Sequence, residues 1–183
     1  MIDWAETRKR LAADRERLVA WRRAEGGRTV PWLLTDSSYL CLVLYRLSYF
    51  VHARFRPLAR VLWHLNLLIT GADFSPKTDI GGGVLVKHPS RVGLAGKVGA
   101  GCVFHGHAAI GGLWVDTDRD VGAGPGLPAL GDGVEMEEGA LVLGPFRIGD
   151  GVHIGARCLV SKDVPAGARV VLVEPRRAAE RAS

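Results

Sequence analysis

The feature that most constrains the fold of this chain is a large apolar residue that recurs every six positions, which we call a stem. The first run of stems comprises Phe74, Ile80, Val86, Val92, Val98, Phe104 and Ile110, and the second comprises Leu130, Met136, Val142, Ile148, Ile154 and Val160. A fixed short period of this kind indicates a repeat architecture. An α-helix would repeat its apolar face every three or four residues and a plain strand every two, so neither explains a period of six.

Each hexad is predicted to form one short strand followed by a corner. Three hexads then make one triangular coil of a parallel β-helix, with the stems in the core and successive coils about 4.8 Å apart. Glycine follows many of the stems, and we expect the corners to need backbone angles that glycine adopts easily. These glycines are Gly81, Gly93, Gly99, Gly111, Gly131, Gly149 and Gly155.

The residues before the repeat are predicted to be helical. A first helix is expected over residues 4–24, with apolar residues at intervals of seven and a solvated charged face. A second should begin after Asp36, a good N-cap, and run to about Phe55. A third should begin at Pro57 and end at Gly71. The sequence thus predicts an α+β chain with a helical part (1–72), a β-helix (73–173) and a basic tail (174–183).

The net charge of +5 and the isoelectric point near 9.4 point to anionic partners, which include nucleic acid, lipid and phosphorylated ligands. The basic residues of the first helix alternate with acidic ones and no nucleic-acid motif is present, so nucleic acid is not an expected partner. Arg46 interrupts the apolar second helix, so a transmembrane span is not expected either, although peripheral membrane contact stays open.

The three cysteines imply no disulfide framework. Cys102 and Cys158 occupy small inward places of hexads and are expected to fill the core, and Cys41 lies in an apolar helix. Together with the lack of a signal-peptide apolar region at the start of the sequence, this pattern predicts a reducing compartment, the cytoplasm.

His88 is the first candidate for chemistry, because a histidine near neutral pH is a suitable general base. It precedes Pro89, which favours an extended backbone at His88. A surface histidine without function is the alternative that the residue alone leaves open.

Several runs of residues resemble the serine acetyltransferase family. They are 45–47, 69–71 and 75–83 before and within the first coils, and 148–151, 154–156 and 162–167 in the last coils, so that the resemblance covers about residues 35–177. It implies a left-handed β-helix that transfers an acetyl group from acetyl-CoA to the hydroxyl of serine or a similar acceptor. It also implies trimers or dimers of trimers, with each active site between two adjacent β-helices. No metal is expected, because a third ligand with suitable spacing is not evident in the sequence.

The resemblance further implies roles for individual residues. His88 matches the histidine that deprotonates the acceptor hydroxyl, and Gly111 and Gly112 match the glycines that line the pantetheine channel. Ala156 and the cations Lys162, Arg176 and Arg177 fall where the donor is expected to bind.

Two departures from the family pattern keep other functions open. Lys87 stands where many members have an aspartate, and the run from Gly126 to Pro128 replaces the segment that carries a second histidine. The alternatives are an acyltransferase with a sugar, amine or natural-product acceptor, and a non-catalytic scaffold of the same fold.

Two further groups are candidates for acceptor binding. Alternation along a strand would place His105 and His107 on one face, where they could line the acceptor pocket, bind a metal with a third ligand that is not evident, or form a polar corner. Asp116 and Asp118 lie in a loop between the two runs of stems and could receive an ammonium group. The alternative for the loop is an acidic turn without a ligand, since its pattern fails that of a calcium loop.

Overall fold

The structure, a computed structural model, describes residues 3–26, 35–113 and 118–172. Three helices come first: α1 (Trp4–Ala24), α2 (Ser37–His52) and α3 (Arg56–Thr70). The described residues then form short strands, which are β1 (Asp73–Phe74), β2 (Asp79–Ile80), β3 (Leu85–Val86), β4 (Gly93–Leu94), β5 (Lys97–Val98), β6 (Val103–Phe104), β7 (Ala109–Gly111), β8 (Ala129–Leu130), β9 (Glu135–Met136), β10 (Leu141–Leu143), β11 (Arg147–Ile148), β12 (His153–Ile154), β13 (Leu159–Val160) and β14 (Arg169–Val170).

The helix boundaries follow from local capping. The Asp3 carboxylate accepts a hydrogen bond from the Glu6 amide at the start of α1, and the Asp36 carboxylate accepts one from the Ser38 amide at the start of α2. Gly71 ends α3 in the left-handed region (φ 77°), where glycine is favoured. Among the described residues, no helix combines the length and apolar content needed to cross a membrane.

The strands pair in parallel into three sheets, which form the sides of a triangular prism. Side A is β1-β4-β7-β10-β13, side B is β2-β5-β8-β11, and side C is β3-β6-β9-β12-β14. The stems of all three sides point inward and form one continuous core that also includes Cys102 and Cys158, as predicted. Cys41 is buried in the same core, and all three thiols are free.

The six-residue period fails at the corner between β3 and β4. The step from Leu85 to Gly93 is eight residues, and the next step, from Gly93 to Lys97, is four. Leu94, rather than the predicted stem Val92, therefore pairs with Phe74 on side A. The prism regains its register because the short step compensates for the long one.

Some of the glycines that follow the stems are required for a different reason from the one predicted. None of Gly81, Gly99 and Gly131 has a positive φ. A Cβ on any of them would lie within 2.6 Å of an atom of the next coil, so lack of space excludes a side chain. The left-handed angles occur two residues later, at Gly83, Gly101, Gly133, Gly151 and Gly167.

The charged helix α1 docks on the first coil through an ion pair that the sequence did not reveal. Asp14 and Arg46 are almost fully buried, and Arg46 Nε donates to Asp14 Oδ2 at 3.0 Å. Arg46 also donates to the carbonyls of Ile80 and Gly81, and Asp14 Oδ1 accepts from the Val84 amide at 3.0 Å. The predicted picture of α1 as a helix with a wholly solvated charged face is therefore wrong at Asp14.

Candidate functional site

His88 lies in the corner between sides C and A, at the eight-residue step. We call this the His88 corner; it comprises residues 87–92 and the turns stacked beside them, 105–108, 137–140 and 155–158. Pro89 is buried while His88 is exposed, so the two additional residues push the histidine outward. Within the described residues, no side chain forms a hydrogen bond with the His88 imidazole. Its nitrogens are free to meet a ligand.

The backbone fixes the position of His88 from both sides. The Val92 amide donates to the Pro89 carbonyl, and the His107 amide of the next coil donates to the Ser90 carbonyl. The Ser38 hydroxyl at the start of α2 donates to the Lys87 carbonyl at 3.1 Å. The corner is therefore clamped between the next coil and the helical part.

At its positions with left-handed backbone angles, the His88 corner has residues with side chains, whereas the corner between sides B and C has only glycine. The left-handed positions of the His88 corner are Gly71, Arg91, His107, Gly139 and Arg157, whereas the corner between sides B and C uses five glycines. A non-glycine residue in this region is strained, and such residues cluster at functional sites. The three exposed side chains of Arg91, His107 and Arg157 thus stack along this edge of the prism.

A polar network covers side C next to the corner. Glu135 Oε1 accepts from His105 Nε2 at 3.1 Å and lies 3.8 Å from Lys87 Nζ. His153 bridges the two acids of β9 and its turn, with Nδ1 3.5 Å from Glu135 Oε2 and Nε2 2.8 Å from Glu137 Oε1. Within the described part of the chain, no group of three or more His, Cys, Asp or Glu side chains is arranged to hold a metal ion.

The acids of this network are held in the ionised form. Partial burial raises the pKa of Glu135, but the hydrogen bond from His105 and the charge of Lys87 outweigh that effect and leave it below its usual value. The hydrogen bond from the Ala156 amide, followed by that from His153, lowers the pKa of Glu137. The network is therefore anionic at its centre, with the cation of Lys87 at one edge.

The structure separates the two histidines that were expected on one face. Strand β6 ends at Phe104, so His105 points along side C toward Glu135, while His107 belongs to the turn. His107 is exposed, with Nδ1 3.8 Å from Glu138 Oε1. The expectation of a shared face is wrong because strand alternation stops where the corner begins.

The expected donor-binding glycines lie at the other edge of side A. Gly111 ends β7, and a Cβ there would meet no atom within 4 Å, so the outer surface of the strand is open. Gly112 follows at the exposed start of the loop, where a Cβ would lie 3.3 Å from the Gly126 carbonyl oxygen. In one chain, His88 and Gly111 are thus at opposite edges of the same side.

The remaining candidates are scattered or cannot be placed. Ala156 is exposed in the His88 corner, and Lys162 is exposed near the end of the prism. Asp118 is exposed on the loop. Asp116, Arg176 and Arg177 lie outside the described residues.

The described part of the loop is tied to the prism. Arg119 Nη2 donates to Asp163 Oδ2 at 2.8 Å, and its guanidinium lies 5.6 Å from the centre of the Phe146 ring. Asp120 Oδ1 accepts from the Gly122 and Gly124 amides at 2.7 and 3.1 Å. Oδ1 of Asp120 therefore organises its own turn.

Sequence reasoning missed Glu135, Glu137 and His153. A signal was present, because these ionisable residues flank the stems Met136 and Ile154 in hexads whose other places are mostly small or apolar. The parallel pairing of His153 with Glu135 then brings them together on one side. An exposed histidine at a corner next to an ionised network can accept a proton from a bound hydroxyl group.

Comparisons with known proteins identify relatives. No protein-family model matches the chain. It is 31% identical over 171 residues to the serine acetyltransferase of Synechococcus elongatus, which covers 92% of this chain and 67% of the relative. It is 34% identical over 134 residues to the serine acetyltransferase of Helicobacter pylori, in an alignment that covers 71% of this chain and 74% of the relative.

A solved structure shows the same fold. The serine acetyltransferase of Neisseria gonorrhoeae superimposes with a TM-score of 0.81 and 25% identity, over 94% of this chain and 66% of that one. The likeness confirms the predicted left-handed β-helix after a helical part. The chain spans about two thirds of the length of these relatives.

Proposed function

Because the chain belongs to the serine acetyltransferase family, a family of acyltransferase enzymes, we propose that it transfers an acetyl group from acetyl-CoA to the hydroxyl of serine or a serine-like acceptor, with His88 as general base. The observation that carries this proposal is the eight-residue corner, which exposes His88 with its imidazole unengaged by any described side chain. The clamp on both sides of the corner supports a positioning role, since catalysis depends on geometry held before the substrate arrives.

The proposed step balances with the residues at hand. An imidazole nitrogen of His88 removes the hydroxyl proton while the oxygen attacks the thioester carbon. The carbon–sulfur bond then breaks, and the CoA thiolate receives the proton that His88 holds. A positioned base of this kind contributes about a hundred- to ten-thousand-fold to the rate.

We also propose that the site is shared between copies of the chain, in a trimer or a dimer of trimers. The separation of His88 and Gly111 to opposite edges of side A supports this arrangement. A single chain does not bring the base and the donor-binding edge together, whereas a second prism packed beside the first would. Arg176 and Arg177 are proposed to meet the phosphates of CoA.

Lys87 favours a second candidate, an acyltransferase with a different acceptor. Its side chain lies toward Glu135 and the side C network, where the family pattern has an acid beside the histidine. An acceptor that carries a negative charge would suit a cation at this place better than the zwitterion serine.

The experiment is to incubate the purified protein with acetyl-CoA and a panel of hydroxyl acceptors, and to detect the acetylated product by mass spectrometry. His88→Ala and His88→Asn should lower kcat by about a hundred- to ten-thousand-fold. His64→Ala, an exposed histidine on α3, is the control and should retain full activity. His105→Ala and His107→Ala should mainly raise the KM of the acceptor.

Two results would count against the proposal. Near-full turnover of His88→Ala together with loss in His107→Ala would assign the base to another coil. If acetyl-CoA produces neither product nor an increase in Tm with any acceptor, the scaffold alternative is favoured, since a ligand that binds only the folded state must stabilise it.

A further inference from the structure

Helix α3 is inverted: it buries polar residues and exposes apolar ones. Ala59, Asn66 and Thr70 are buried against the rest of the protein. The opposite side exposes an apolar stripe of Leu58 (41%), Val61 (54%), Leu65 (39%), Leu68 (80%) and Ile69 (61%). We call these five residues the α3 stripe.

Hydrogen bonds lock this orientation. Asn66 Nδ2 donates to the Cys41 carbonyl of α2 at 3.0 Å, and the Thr70 hydroxyl donates to Asn66 Oδ1 at 2.8 Å. The Thr70 hydroxyl also accepts from the Ala72 amide where the chain enters the prism. Rotating the helix to bury the stripe would leave these polar groups without partners, which is costly in an interior. The stripe is therefore a fixed property of the fold.

Positive charge predominates around the stripe, where Asp73, which accepts a hydrogen bond from Trp63 Nε1 at 2.7 Å, supplies a carboxylate at the end of α3. The sequence has no aspartate or glutamate from Ser37 to Ala72. Arg54, Arg56 and Arg60 are exposed in this stretch. Burial, followed by the charges of Arg56, Lys77 and Arg60, lowers the pKa of His52.

We propose that α3 docks this face on an anionic lipid surface, with the α3 stripe in the boundary between headgroups and acyl chains and the arginines among the headgroups. A helix with an apolar stripe and flanking basic residues has the pattern of an interfacial helix. Arg56–Thr70 would lie in the membrane plane over about 22 Å.

Charge complementarity favours lipid over a second copy of the chain. Two copies that met through α3 would each bring the exposed side chains of Arg54, Arg56 and Arg60, against the single carboxylate of Asp73 beside the helix. Anionic headgroups supply the missing charge. The inference rests on α3 alone and is independent of the proposed acyl transfer.

The test is flotation of the full chain with vesicles of phosphatidylcholine alone or mixed with phosphatidylglycerol. The protein should float with the mixed vesicles, only weakly with the neutral ones, and should be released by high salt, which screens the headgroup charge. Replacing Arg54, Arg56 and Arg60 together with glutamine should weaken binding roughly a hundred-fold, since each basic residue near the surface contributes about five-fold.

Apolar contact is tested separately from charge. Leu68→Glu and Val61→Glu should abolish flotation, and circular dichroism should show that they fold, because both positions are exposed. The matched control is Leu172→Glu, at a residue that is 63% exposed at the far end of the prism and should bind as the original chain does.

Three outcomes would overturn the proposal. One is the absence of flotation with mixed vesicles, and another is flotation that Leu68→Glu leaves unchanged. The third combines two results: the original chain does not bind vesicles, and sedimentation shows that Leu68→Glu dissociates an assembly of the chain. That outcome would assign the stripe to contact with a second copy.

Discussion

The buried pair of Asp14 and Arg46 gives the sharpest test of how the helical part holds the first coil. Replacing Asp14 with alanine leaves the Arg46 guanidinium, which is 2% exposed, without a counter-charge. Removing one partner of a buried pair costs about 3–5 kcal/mol of unfolding free energy. In a chain of this length, each kcal/mol shifts Tm by about 2–4 °C, so we expect a fall of about 6–20 °C.

The size of the loss depends on charge more than on hydrogen bonding. Asp14→Asn keeps an oxygen that can accept from the Val84 amide but removes the charge, so its cost should lie below that of alanine. Burial raises the pKa of Asp14 even though Arg46 and the Val84 amide oppose this effect. The pair is therefore held against a large desolvation cost, and the double variant Asp14→Leu with Arg46→Met should recover much of the loss.

The assay is thermal and denaturant unfolding, followed by circular dichroism, of Asp14→Ala and Asp14→Asn. Asp14→Leu, Arg46→Met and their double variant are measured in the same way and complete a double-mutant cycle. Refutation would be an Asp14→Ala protein that loses less than about 1 kcal/mol. Such a result would mean that the carboxylate is solvated and that α1 does not dock on the prism through this pair.

Three other predictions follow from the stacking of the coils. Gly99→Ala should cost several kcal/mol of unfolding free energy or prevent folding, because its Cβ would lie 2.3 Å from the Gly131 carbonyl oxygen. At Gly101 a Cβ has free space, so Gly101→Ala should cost only about 1–2 kcal/mol, the strain of its positive φ. Denaturant unfolding curves measure both costs. The pKa of Glu135 is lower in the folded protein than in the unfolded chain, so its ionised carboxylate stabilises the fold at pH values above the unfolded pKa. This stabilisation is lost as the pH falls through the folded pKa. The difference in unfolding free energy between the original chain and Glu135→Gln should therefore disappear below about pH 4. The three buried thiols should react with a thiol reagent only after denaturation, since burial raises the pKa of Cys102 to about 11; fast labelling of the native chain would contradict the packing.

The hexad period predicted the sides of the prism and its core, but not the corner that exposes His88. Val92 and Leu94 are both apolar and both buried, and steps of six and six reach Val98 as well as steps of eight and four. A periodicity cannot distinguish these paths. Only the pairing of Leu94 with Phe74 does so, and that pairing depends on the coil before it.

The candidate site shows the same limit. His88 was evident from its own hexad, whereas Glu135 and His153 acquire meaning only when coils stack. They are three hexads apart, so the period itself places them in one column of side C. The docking of α1 had no such signal, since the partners Asp14 and Arg46 are on different helices and no local pattern joins them.

The loop that leaves the prism after Gly111 has a consequence for how proteins of this shape diversify. The chain returns at Ala129 in register with Lys97, as if the excursion had not occurred. Stacking therefore constrains where the chain exits and re-enters but not what it does between these points. A segment of other length or composition can replace this loop without repacking a single stem. The ligand specificity at this edge of the prism can therefore change while the core stays the same.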